Sequence, residues 1–463
     1  MKLKQLVVAS MSVLGLISLP AFADTATQTT KHKHHHKHHV MAATTANSTT
    51  DYKAMGALPV VCPITNMYTM ILDRMDQNVG RAKSTEDCMK LISFAGGVNV
   101  DGTWGNRSKG YEGENVQRIA LNDAYLNVFG NVNDWVKAMV TLSYDDASNV
   151  AQTNVTTNKA GIYDQMYTSN GLSTSTQTKL ILQQGFLRIA NFDQTPFFVD
   201  LGKEFVNFGR YQIDPIERTV AQSLTESLQT AATAGFITQM GFNGSIFAFD
   251  NGWRQRANNL ATSRQLGHTT PNYGAALGFD HPSDQLGYDI GVGYLYDMIG
   301  VNDVMYAVNT LNAADGANGY RRAVGAGTIY GDINSGGFSF DVRFVEALRR
   351  FDNFDLDTKT LGAVPGGAIN AKGARPYAGD LQAGYGFNAW NKNQNIYLGY
   401  QQTNEAVDLF LPKNRWIVGY NIDAWKNTNL GVQVGRDKDY STSQGGTGNS
   451  SDTVGVRAAV KFG

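Results

Sequence analysis

The sequence is short of cysteine, of charge and of long apolar runs. Cys62 and Cys88 are its only cysteines. Nothing here fits a zinc site built from cysteine, and in an oxidising compartment such a pair is expected to form a disulfide. Charged residues make up 17% of the chain, below the usual level of about 25%. Beyond the N-terminus, no stretch keeps the run of about 18 apolar residues that a membrane helix needs. A helical membrane protein is thereby excluded. Histidine is scarce as well: outside one N-terminal tract only His268 and His281 remain. A hydrolase or protease needs a histidine base. His281 falls beside a turn, and His268 sits in a long loop with no Ser or Asp pair to place near it. The chain therefore does not read as an enzyme, and no cofactor is implied.

The first residues, Met1-Lys2-Leu3-Lys4, are followed by an apolar stretch from Leu6 to Leu19 and then Pro20-Ala21-Phe22-Ala23. A basic start, a short apolar core and a small-x-small end make a secretory signal peptide over 1–23, cleaved after Ala23. Without Lys2 and Lys4 the 39 basic residues fall to 37, against 40 acidic ones. A near-neutral mature chain argues against nucleic acid as a partner. Residues 24–55 are rich in Ala, Thr and polar groups and are expected to be a disordered tail. Within it His32, His34, His35, His36, His38 and His39 alternate with Lys31, Lys33 and Lys37. Clustered imidazoles are a weak metal-binding signal, since the lysines repel a cation and no fixed geometry is encoded. Residues 56–90, with Cys62 and Cys88, read as a small disulfide-linked periplasmic element.

What the chain has in abundance is glycine, 49 residues, with 21 Tyr and 22 Phe, and from Leu91 onward a period of two. In the last segment Val454, Val456, Ala458, Val460 and Phe462 alternate with Gly455, Arg457, Ala459 and Lys461. Successive side chains of a strand face opposite sides, so one face here is apolar and the other carries charge. Phe338 to Phe344, Trp416 to Ile422, Leu430 to Val434 and Ile290 to Tyr296 repeat the pattern. Sixteen such segments fit between 91 and 462. Facing is ambiguous over 118–130, 179–192 and 197–208, where bulges can shift the parity. The connections alternate long and short: 105–116, 145–178, 209–229, 251–272, 299–321, 349–374, 405–413 and 440–451 are long, with turns such as 131–134 and 334–336 between them. Short periplasmic turns and long external loops belong to outer-membrane barrels. Trp135, Trp390 and Trp425 fall in or beside the short turns, as an interfacial girdle requires. The expected fold is all-β: a transmembrane antiparallel up-and-down barrel of about 16 strands over 91–463, with a short periplasmic segment before it. Its partners are outer-membrane lipid and a small solute.

A barrel of this size leaves an aqueous lumen. Its inner face mixes Arg343, Arg415, Arg457 and Lys461 with Asp101, Asp289, Asp341, Asp380 and Asp423, a mixture that selects solutes by charge and polarity. The third long connection carries Asp214, Glu217, Arg218 and Glu226, with Lys203 and Arg210 nearby. In porins the third loop narrows the pore, so these residues are the expected constriction.

The segments Asn133-Asp134-Trp135-Val136-Lys137-Ala138, Ser143-Tyr144-Asp145-Asp146-Ala147-Ser148 and Pro196-Phe197-Phe198-Val199-Asp200-Leu201-Gly202-Lys203, continuing through Phe208-Gly209, resemble the legiobactin-receptor-like (LbtU-type) siderophore porins. The resemblance covers most of 91–463. It implies a sixteen-stranded porin that admits a ferric siderophore without a TonB-coupled plug. A homotrimer is the assembly to expect by the habit of porins. A general diffusion porin and a surface adhesin are the competing readings.

Overall fold

The computed structural model describes residues 92–106, 115–145, 179–210, 214–238, 240–254, 268–281, 283, 285–314, 320–353, 355–357 and 372–462. The expected signal peptide, the histidine tract and Cys62 and Cys88 lie outside the described residues.

Sixteen antiparallel strands follow one another in chain order and close on themselves. They are β1 Ile92–Asn106, β2 Asn115–Asn131, β3 Val136–Asp145, β4 Lys179–Ala190, β5 Phe197–Phe205, β6 Leu228–Ile237, β7 Phe242–Arg254 and β8 His268–His281. The second half comprises β9 Gly287–Leu295, β10 Ala326–Ser335, β11 Phe338–Ala347, β12 Tyr377–Ala389, β13 Lys392–Asn404, β14 Asn414–Trp425, β15 Thr428–Lys438 and β16 Ser450–Phe462. Closure is a continuous register from Gly96 opposite Phe462 to Asn106 opposite Asp452. Each strand has the nine or so residues needed to cross a bilayer when tilted, and a closed ladder leaves no backbone edge to satisfy. No helix among the described residues is long and apolar enough to cross a membrane.

The two-residue period explains the two faces. Ile290, Val292 and Tyr294 are exposed on the outer side of β9, as are Trp416 and Val418 on β14 and Val454, Val456 and Val460 on β16. Between them stand the buried inner residues Asp289, Arg343, Asp380, Gln401 and Gln433. Trp135, Trp390 and Trp425 are exposed at the short-turn end. The turns there have the chemistry that tight hairpins demand: Gly336 and Gly337, and Trp390 and Asn391, hold positive φ at both central positions, which matches the strand twist.

Two of the segments of ambiguous facing contain register shifts. Register slips between Asn99 and Val100 against β2, and between Thr141 and Leu142 against β4. At the second slip Gln183 and Gln184 are both buried, so parity inverts there. On β5 the pairing runs unbroken through Phe205, but Gly202 takes φ 141°. A β-carbon there would collide with the carbonyl oxygen of Gly185, so no side chain fits. Elsewhere inward aromatic rings lie across glycines of the next strand, Tyr397 over Gly419 for example, which supports twist where a side chain is missing.

The inner wall is not uniformly polar. Near the long-loop end, Ala326, Val345, Ala347 and Ala378 face inward and pack against chain that has entered from the loops. Helix α1, Val220–Ser223, comes from the connection after β5, and helix α2, Asn302–Ala314, from the connection after β9. Leu224, Met298, Val301, Val304, Val308, Leu356 and Leu409 complete one buried apolar cluster with Phe247 and Phe249 of β7. Val301, Val304 and Val308 recur at helical spacing, a pattern set in what the sequence alone shows as a loop.

Candidate channel constriction

The described parts of the connection 206–227, residues 206–210 and 214–227, run inside the barrel. Its outgoing arm is bonded to one inner side chain after another. Arg210 forms an ion pair with Asp289 on β9 at 3.0 Å, and its carbonyl accepts from Arg343 Nε on β11 at 3.1 Å. Asp214 accepts from Gln382 on β12 at 2.8 Å and from Asn395 on β13 at 3.0 Å. At the tip, Ile216 N–H donates to Gln433 Oε1 on β15 at 2.9 Å, and the Ile216 carbonyl accepts from Arg457 on β16 at 2.8 Å. The Ile216 side chain rests over Gly431 and Gly455.

The return arm retraces the same wall nearer the long-loop end. The Arg218 carbonyl accepts from Arg415 on β14 at 3.0 Å. Val220 N–H donates to Gln401 on β13 at 3.1 Å, and Ala221 N–H to Asp380 on β12 at 3.1 Å. Thr219 caps α1, its side-chain oxygen accepting from Gln222 N–H. Amides of α1 left without helical partners are thus taken up by the barrel wall.

The charges are paired locally. Arg457 holds Asp101 through two contacts of 2.8 Å. Arg415 holds Asp437 at 2.7 and 2.8 Å, with Glu217 at 3.7 Å. Arg343 pairs with Asp332 at 2.7 Å. Arg218 joins Glu226 at 3.0 Å and Asp303 of α2 at 2.8 Å, tying the return arm to the connection after β9. Burial raises the Asp303 carboxyl to about 6, the Arg218 charge pulling it down and the Glu226 charge pushing it up.

Arg210, Asp214, Glu217, Arg218, Glu226, Asp341, Arg343, Arg415 and Arg457 therefore meet along one inner wall and the loop that crosses it. Lys203 does not join them. It stands opposite the exposed Thr230 and donates to the Leu182 carbonyl at 3.1 Å, on the outer face. Inner residues of β5 are Asp200 and Glu204; the strict alternation through Lys203 puts its side chain on the lipid side.

Three features escaped the sequence reading. The wall amides Gln382, Asn395, Gln401 and Gln433 carry no charge and so gave no signal. Asp280, Asp289, Asp332 and Asp341 stand directly opposite one another on β8 to β11, a row visible only once register is known. Arg210 and Arg343 reach into that row and offset repulsion between like charges in facing positions. Finally, Arg188 and Asp200, both 0% exposed, form a two-contact pair at 2.7 and 2.5 Å on the opposite wall. Glu204 beside them accepts from Thr233 at 2.6 Å. Among the described residues no group of His, Cys, Asp and Glu is arranged to hold a metal ion.

No family model matches the chain. It is 26% identical over 400 residues to a UPF0422 protein of Legionella pneumophila (strain Lens), covering 81% of this chain and 67% of that protein. A UPF0422 protein of Coxiella burnetii is 24% identical over 361 residues, covering 78% and 67%. Among solved structures, OprB of Pseudomonas putida superposes with a TM-score of 0.51 at 12% identity, over 82% of this chain and 96% of that one. The outer membrane channel DcaP of Acinetobacter baumannii gives 0.48 at 11% identity, over 80% and 97%. The OprB likeness shows the fold: a closed antiparallel barrel of the porin type.

Proposed function

We propose that this chain is an outer-membrane channel for small polar solutes, narrowed by the connection 206–227. One observation carries the reading: a loop enters a closed sixteen-stranded barrel and is bonded to the inner side chains of six strands, β9 and β11 through β15, as well as to β16. Such an arrangement narrows a lumen without adding a mobile domain. Arginines and carboxylates on loop and wall supply polar groups to exchange for a solute's hydration shell. The porin-type fold of OprB and the apolar outer face support placement in an outer membrane. His281 lies against Tyr288 near the short turns, with ring centroids 5.0 Å apart. Passage of a solute is the activity to test.

Ferric siderophore is the cargo this reading takes from the resemblance to legiobactin-receptor-like porins, and a homotrimer its assembly. The names of the Legionella and Coxiella relatives state no ligand. The test is single-channel recording of the refolded chain in a planar bilayer, with and without a ferric siderophore. Steady conductance that the siderophore blocks supports the full reading. Conductance indifferent to it leaves a general channel, and absence of conductance removes the channel in favour of an adhesin.

A further inference from the structure

The long-loop ends of β10, β11 and β12 carry a concentration of positive charge that the proposed channel does not use. Arg321, Arg322, Arg349, Arg350, Lys372 and Arg375 belong to one continuous patch. The Arg349 guanidinium donates to the Ala323 carbonyl. Arg350 donates to the Gly373 carbonyl at 2.8 Å, next to Lys372, and Phe351 N–H to the Ala374 carbonyl at 2.8 Å, next to Arg375. Arg321 and Arg322 offer their backbone N–H groups to Asp355 at 3.0 and 3.2 Å.

Carboxylates are present, but they are spent or turned inward. Asp355, Asp357 and Asp408 are buried; Asp355 is occupied by those amides, and Asp408 by Asp357 N–H at 2.7 Å. Glu405 holds Arg350 at 2.7 Å, Glu346 holds Arg375 at 2.9 Å, and Asp352 lies 3.6 Å from Arg321. Arg322, Arg349 and Lys372 are exposed, and no described carboxylate pairs with them. The pairs anchor the patch, and these three cations are left exposed.

The position of the patch matters as much as its sign. Directly beneath it lie Leu348, 51% exposed against Gly325 and Gly327, and the outward Ile329, Tyr294 and Leu381. Glu346 and its partner Arg375 belong to this outer face, since Glu346 continues the outward series Phe340, Val342, Phe344 on β11. Other outward cations on strands include Lys203, Arg436 and Lys438, and the Lys438 ammonium donates to the Gly448 carbonyl at 2.6 Å. Arg436 has Asp452 3.7 Å away. Cations placed just above an apolar lipid-facing band meet the headgroup layer, and guanidinium matches phosphate in charge and geometry.

We infer that the rim formed by Arg322, Arg349 and Lys372 docks the phosphate groups of an anionic lipid of the outer leaflet. The inference rests on the outer-membrane placement proposed above, but not on what the lumen conducts.

The test uses the full chain refolded in neutral detergent. It is titrated with lipid A bearing both phosphates, with the same lipid dephosphorylated, and with inorganic phosphate at equal phosphate concentration. Bound lipid is read by native mass spectrometry and protection by the thermal midpoint. The phosphorylated lipid should bind about tenfold more tightly than the dephosphorylated one. The R322Q/R349Q/K372Q variant should lose that preference. Wild-type single-channel behaviour in this variant shows that it has folded; if it misfolds, the single R349Q change should lose part of the preference. Equal binding of the two lipids, or an unchanged preference in the folded variants, overturns the proposal. Protection by inorganic phosphate equal to that by the lipid also overturns it, since it marks a site for free anions. Loss of conductance in wild type and variant alike would strike the channel reading and leave the lipid result standing.

Discussion

Two parts of the inner wall hold the same loop by different means. On the side of β10 to β12 near the long-loop end, Leu224 and its neighbours are sealed among Val304, Val345, Ala347 and Ala378. On the side of β13 to β16, the loop is held by single hydrogen bonds, donated to Gln401 and Gln433 and accepted from Arg415 and Arg457. Apolar packing is non-directional and scales with buried area. A polar contact to a wall beside water gains little net free energy, about 0.5–1.5 kcal/mol, but fixes position. The first region therefore anchors the loop, and the second sets where its tip stands in the lumen.

The comparison breaks most visibly at Leu224, which is 0% exposed. Leu224→Ala should lower the unfolding free energy by about 2–5 kcal/mol, read by denaturant unfolding in lipid. Gln433→Leu removes the acceptor of both Ile216 N–H and the Tyr397 hydroxyl, which lies 3.0 Å away. A cost of about 1–2 kcal/mol is expected, with a clearer effect on current: more fluctuation between conductance levels. If Leu224→Ala disturbs the current and Gln433→Leu leaves it quiet, the division of labour is reversed.

A smaller effect joins the two regions through Asp303. Its carboxyl titrates at about 6 in the folded chain against an ordinary 3.8. Between these values the folded state carries the extra proton, so its contribution to stability is complete below about pH 3.8 and is lost as pH rises through about 6. The stability of the wild type relative to Asp303→Asn should therefore rise as pH falls from about 7 to about 5, measured as paired thermal midpoints. A flat difference would remove the assignment. The smallest effect belongs to Lys203→Met, which on the outer face should leave conductance unchanged and stability within about 0.5 kcal/mol.

Much of this architecture was legible in the residues. A period of two with one apolar face, and connections of alternating length, anticipate the strand count and the order of β1 to β16. The third long connection stood out for its Asp, Glu and Arg residues and for its place as the third loop. Lys203 was misassigned because facing near a glycine of positive φ cannot be settled without the pairing of Thr230. The apolar upper lumen stayed hidden for another reason. Ala326, Val345 and Ala378 look the same in a sequence whether they face lipid or an entering helix. Only the three-dimensional register distinguishes the two.

The central claim is that the tip of 206–227 rests against β16 inside the working channel. A β-carbon on Gly455 would lie 3.9 Å from that of Ile216, within the span of a disulfide. The direct measurement is single-channel recording of an Ile216→Cys, Gly455→Cys chain whose native cysteines are replaced by serine, before and after reduction. A bridge that forms readily in the folded barrel and leaves the main conductance level the same with or without reductant is the predicted result. A bridge that fails to form, or one whose formation shifts the main level, would contradict the account.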